Sequence, residues 1–109
     1  MADGRLRAEL TSIGSTSAEV ALSDAPVGER LEAALLALAE HRAPGTTCPS
    51  DAARAVGGAD WRDLMDRTRE IARDLARRGV VEVTQRGEVL AVDESWRGPI
   101  RVRLAPPTR

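Results

Sequence analysis

Apolar residues recur at helical spacing from Val27 to Leu75 and then switch to the every-second-residue spacing of strands. The first clear helical stripe is Val27, Leu31, Ala34, Leu35 and Leu38, which predicts a helix from Pro26 to about Arg42 with one face on a core. Ser23 or Asp24 is placed to cap it, Pro26 suits its first turn, and Pro44-Gly45 ends it. Leu36 falls on the far side, among Glu29, Glu32 and Glu40. Cover for it could come from Leu6 and Leu10 upstream or from a second copy of the chain.

A second, short helix is expected to open at Cys48-Pro49-Ser50-Asp51 and close at Val56, with Gly57 as its cap. A third opens at Asp60, whose carboxylate can cap it. It carries Trp61, Leu64, Met65, Thr68, Ile71, Ala72 and Leu75 in one continuous stripe. Arg77, Arg78 and Gly79 give it a basic-then-glycine ending.

Beyond Gly79, residues 80–84 and 88–92 are two β-branched-rich runs around Gln85-Arg86-Gly87, the pattern of a hairpin. Ile100, Val102 and Leu104 alternate with Arg101 and Arg103, so a last strand turns its apolar side inward and both arginines outward. The order is three helices, a hairpin and one more strand. It predicts an α+β winged helix-turn-helix domain over residues 26–104: a three-helix core, an antiparallel β-hairpin wing and a C-terminal strand. Residues 1–25 read as a flexible leader with a short helix at Leu6, Leu10 and Ile13, ended by Gly14-Ser15-Thr16-Ser17. Residues 105–109 read as a disordered tail.

Composition narrows the chemistry. The 109 residues include no Phe and no Tyr, so Leu, Val, Ile, Ala, Met65 and two tryptophans must build the core. The absence of Lys and Asn, with Arg abundant, is the mark of GC-rich coding. Net charge is −1, so no global field draws the chain to a polyanion. The charge is uneven: residues 1–59 carry five Arg against eight acids, and residues 60–109 carry eleven against nine. A single Cys and a single His exclude an internal disulfide and a four-ligand zinc site built from such residues. No apolar run approaches a membrane span, the longest being Ala33 to Ala39, and no signal-peptide pattern opens the chain. A cytoplasmic protein without membrane contact is expected.

The third helix occupies the place of a recognition helix. At 100° per residue, Arg62, Arg69, Arg73 and Arg77 share one polar flank, with Asp66 among them and Asp63, Glu70 and Asp74 on the next ridge. Guanidinium groups suit guanine edges and phosphates because their donor fork binds bidentately. The same spacing equally makes ordinary ion pairs on a solvated face. Arg86, at the hairpin tip, is placed to touch a nucleic-acid backbone or minor groove. Four such contacts, from Arg62, Arg69, Arg73 and Arg86, would give a log–log salt slope of roughly −3 to −4.

Other candidates are weaker. Cys48 at a helix start, with His41 seven residues before it, is a conceivable nucleophile pair. No orienting third residue or oxyanion arrangement accompanies it, so packing and capping are the expected roles. Trp61 lies on the core stripe, and Trp96 is expected to pack on the sheet. No phosphate-cradling glycine loop, paired-carboxylate site or metal motif is present. The chain is therefore expected to be a non-enzymatic module without cofactor or small-molecule ligand.

Cys48-Pro49-Ser50-Asp51, Ala53-Arg54, Gly57-Gly58, Trp61-Arg62, Val83-Thr84-Gln85, Gly87 and Arg97-Gly98-Pro99-Ile100-Arg101 together carry a resemblance. Over about Ala25 to Leu104 the chain resembles a small bacterial family, a domain of unknown function with a winged-helix-like fold. The resemblance implies the fold and no activity, cofactor or catalytic residue. The leading expectation is a nucleic-acid-binding domain whose partner is duplex DNA. The alternative is a protein-interaction module of the same fold, binding a protein partner or a second copy through Leu36 or the hairpin edge.

Overall fold

The structure is a computed structural model, and it describes residues 2–106. Five α-helices precede a small antiparallel sheet: α1 Ala2–Ile13, α2 Thr16–Leu22, α3 Val27–Arg42, α4 Pro49–Gly57 and α5 Met65–Arg77. A 3-10 turn, Gly58–Leu64, leads into α5, and the strands are β1 Val81–Gln85, β2 Glu88–Val89 and β3 Arg101–Leu104. The sheet order is β2-β1-β3. The fold is α+β, and its helices followed by a three-stranded antiparallel sheet are compatible with a winged-helix-like arrangement.

Helix α3 is the axis of the molecule. Leu31, Ala34, Leu35 and Leu38 are wholly buried, as their spacing predicts, but Ala33, Ala37 and Ala39 are buried as well. Small side chains on its remaining faces let α1, α2, α4, α5 and β3 all pack against it. Each buried leucine contributes about 1.5–3 kcal/mol of apolar burial, so this helix anchors the core. Leu36 is half-buried and shares a groove with Thr16, Ser17 and Val20 of α2. It packs against the core cluster that includes Leu6 and Leu10.

The expected flexible leader is instead two packed helices, with Leu6, Leu10, Ala18 and Ala21 in the core. The residues that end the first helix also begin the second. Gly14 takes the left-handed conformation (φ 65°) that terminates α1. Ser15 then caps α2, its Oγ accepting from the Ala18 amide at 3.1 Å. Polar ties fix the pair in place: Arg7 donates to the Ala55 carbonyl at 3.1 Å and Arg30 to that of Ala21 at 3.1 Å. Arg42 of α3 grips Glu9 of α1 through two bonds of 2.7 and 3.1 Å, and Asp51 of α4 at 2.6 Å. That guanidinium holds the Glu9 carboxyl below the usual carboxylate range, and the two carboxylates raise the Arg42 pKa in turn.

Neither Ser23 nor Asp24 caps α3; Pro26 stands at its N-cap position without a side-chain bond, and Ser23 closes α2 through Val20. The long third helix of the sequence reading is broken. Asp60 has φ −95° and ψ 18° inside the 3-10 turn, and Leu64, not Asp60, stands before α5. The tighter turn moves Trp61 off the core stripe. It is half-buried, between the Arg54 and Arg62 guanidinium groups at 4.4 and 4.6 Å from the ring centroid. Helix α5 ends as Arg77, Arg78 and Gly79 predict: the Val80 amide donates to Leu75 and the Gly79 amide to Ala76, with Gly79 left-handed at φ 73°.

β1 pairs with β3 in the register Val81↔Leu104 and Val83↔Val102. Val81, Val83, Ile100 and Val102 are buried, and Arg103 pairs with Glu82 across the strands at 2.9 Å. Thr47 extends the sheet beyond β3, exchanging bonds of 2.7 Å with Val102 in both directions. The second run of the hairpin, expected over 88–92, is shorter than its composition suggests. After Val89 only the Leu90 amide still reaches β1, at Val83, and the chain then turns back over α5. Of the expected tail, Ala105 donates to Val80, and residues 107–109 lie outside the described residues.

Candidate nucleic-acid interface

The five arginines singled out by sequence separate into two groups. Arg62, in the 3-10 turn, and Arg77, at the end of α5, are exposed. So is Arg86 at the hairpin tip, in the left-handed region at φ 55° beside Gly87 at 84°. Two consecutive left-handed residues make the tight turn that matches strand twist. Among the described residues, no carboxylate pairs with any of these three.

Arg69 and Arg73, unlike these three, are engaged by backbone carbonyls within the fold. Arg69 donates to the carbonyls of Trp96 at 2.7 Å and Gly98 at 3.2 Å. Arg73 donates to the Val92 and Glu94 carbonyls, and its guanidinium lies 4.0 Å from the centre of the Trp96 ring. The physical cause is the loop from Leu90 to Pro99. Once it leaves the ladder its carbonyls lack strand partners, and backbone acceptors near a core must be satisfied. The arginines on this flank of α5 supply the donors. Trp96 anchors the same loop: it is 9% exposed, and its indole nitrogen donates to the Ala91 carbonyl at 2.9 Å. That burial agrees with the packing expected of it.

Four acids, Asp63 in the 3-10 turn and Asp66, Glu70 and Asp74 of α5, are exposed along one ridge, interspersed with exposed Arg67, Arg77 and Arg78. Asp74 pairs with Arg78 at 3.1 Å, and Arg78 also reaches Glu32 of α3 at 2.9 Å. The carboxylates on this ridge oppose a close approach of phosphate.

The concentrated positive charge lies beside the hairpin turn. A surface cavity of about 480 Å³ is lined by Gln85, Arg86, Arg97, Gly98, Pro99 and Arg101. Three arginines line it and no acidic residue does. Arg101 is anchored by bonds to Thr46 Oγ1 at 2.8 Å and its carbonyl at 3.1 Å. Gln85 Nε2 reaches across to the carbonyls of Arg97 at 2.5 Å and Pro99 at 3.0 Å. Arg97 and Arg101 escaped the sequence-based site list. The strand alternation does turn Arg101 outward, but nothing periodic brings Arg97 back to the hairpin turn.

The Cys48 thiol lies 2.9 Å from the Ser50 hydroxyl, and His41 is exposed at the end of α3. Among the described residues, no group of three His, Cys, Asp or Glu could hold a metal ion. No helix there is long and apolar enough to cross a membrane.

No curated protein matches this chain. A family model does match, over residues 28–105, from the second residue of α3 to just past β3. It takes in α4, α5, the sheet and the whole basic cavity, and leaves out α1 and α2. By that match the chain belongs to the family described as Protein of unknown function (DUF3253).

Proposed function

We propose that this domain binds duplex DNA through the wing side of a winged helix-turn-helix, with Arg86, Arg97 and Arg101 on the phosphate backbone. The observation that carries this reading is the cavity lined by those three arginines and by no acidic residue. Exposed Arg62 and Arg77 add flanking positive charge, while the carboxylates along α5 oppose deep insertion of that helix into a groove. Arg69 and Arg73 serve the fold of the wing. The partner is recognised by charge and shape more than by base edges. The same reading places the domain in the bacterial cytoplasm, where such a duplex is found.

The test is fluorescence polarisation of the full chain with a labelled random duplex, at about 50 and 200 mM salt. Three phosphate contacts give a log–log slope of about −3, and Arg86→Ala with Arg97→Ala lowers it to about −1. Binding that is absent, or independent of salt, overturns the proposal. A second reading, a protein-interaction module, is favoured by the α5 carboxylates together with Val89, 53% exposed on the two-residue edge strand β2.

A further inference from the structure

The backbone around Gly98 is arranged in an unusual way. Each carbonyl from Trp96 to Pro99 accepts a bond from a side chain: Arg69 takes those of Trp96 and Gly98, and Gln85 those of Arg97 and Pro99. Two side chains thus cover the negative end of four successive peptide groups. Gly98 is left-handed at φ 79°, and the amides of Arg97 and Gly98 meet no acceptor among the described residues. That backbone borders the cavity lined by Arg86, Arg97 and Arg101.

We infer that this cavity is a dedicated site for a phosphate group. Arg86, Arg97 and Arg101 supply charge-assisted donors. A tetrahedral phosphate presents oxygens in several directions, so it can accept from more than one guanidinium at once. Arg69 and Gln85 are positioning residues: by engaging the loop carbonyls they hold the donors in place before the ligand arrives. The inference rests on the DNA reading only in taking that phosphate to be a backbone phosphodiester; a small phosphorylated compound offers the same group.

The test is an amide NMR titration of the full chain, first with inorganic phosphate and then with a short random duplex, with chloride at equal ionic strength as control. Saturable shifts centred on the Arg97 and Gly98 amides with phosphate, absent with chloride, support the site. Arg97→Ala should weaken phosphate about tenfold and reduce the duplex salt slope by about one. Gln85→Ala should weaken phosphate while leaving that slope unchanged, because it removes no charge. The amide spectrum of each variant reports whether its fold is kept, and the wild-type titrations stand without them. Phosphate shifts without duplex binding keep the site and overturn the DNA reading. Duplex binding whose salt slope falls with Arg86→Ala and Arg97→Ala, with no saturable phosphate effect, overturns the site and keeps that reading. If neither ligand moves these amides and no duplex binds, both fall.

Discussion

Arg73→Met separates a structural arginine from one that touches a partner. The Arg73 side chain is 17% exposed, bonds the Val92 and Glu94 carbonyls and lies 4.0 Å from the Trp96 ring centre. Methionine preserves the aliphatic stem and removes only the guanidinium. A hydrogen bond from a charged donor contributes about 1.5–3 kcal/mol. Water can replace the bond to exposed Glu94, so the Val92 bond counts at the low end and the Glu94 bond hardly at all. The stacking on Trp96 adds about 0.5–1 kcal/mol. The expected loss is about 2 kcal/mol. With an unfolding entropy of about 2.1 cal/mol/K per residue, this lowers Tm by about 9 °C. Urea unfolding followed by far-UV circular dichroism measures the loss, and the salt slope of duplex binding should stay unchanged. A stability change below about 0.5 kcal/mol, the usual range for a surface substitution, together with a shallower slope, would refute the structural role of this side chain.

The Arg42 cluster gives the fold an acid limb. Glu9 has a depressed pKa in the folded protein, so its contribution is complete above its unfolded value near 4.5 and is lost as pH falls from there through the folded pKa. Glu9→Gln should flatten the stability–pH curve in that window and leave its shape above pH 6 or so unaltered, as urea midpoints across pH would show. Leu10→Ala, at a wholly buried site in α1, should cost about 2–5 kcal/mol; a loss under about 0.5 kcal/mol would mean that α1 is not part of the core. Gly87→Ala places a side chain at φ 84° and should cost about 1–2 kcal/mol, measured by thermal unfolding, with open space around the new methyl.

What was legible in the sequence is what local chemistry decides. The burial of Leu31, Leu35 and Leu38, the glycine ending of α5 and the turn at Arg86-Gly87 each follow from a few neighbouring residues. The alternation of Ile100 to Leu104 does so too. What was hidden depends on distant parts of the chain. Gly14 and Ser15 looked like the end of order because a stop signal and a start signal stand side by side, and only α3 shows that both helices have somewhere to dock. Arg69 and Arg73 share a flank with Arg62 and Arg77, yet the aperiodic path from Leu90 to Pro99 decides which of the four remain in solvent. The same path brings Arg97 to Arg86, so the densest positive charge arises from residues eleven positions apart.

The two tryptophans occupy opposite kinds of surroundings, and the chain has no tyrosine. Trp96, in the loop after the hairpin, is buried, whereas Trp61 is half-buried between two guanidinium groups. Intrinsic emission therefore has one blue, sheltered source and one redder, solvent-touched source, with no phenol background. Replacing either indole by phenylalanine leaves a single natural lamp, tuned to the loop or to the turn before α5, with which events at the two places can be timed apart without an added dye.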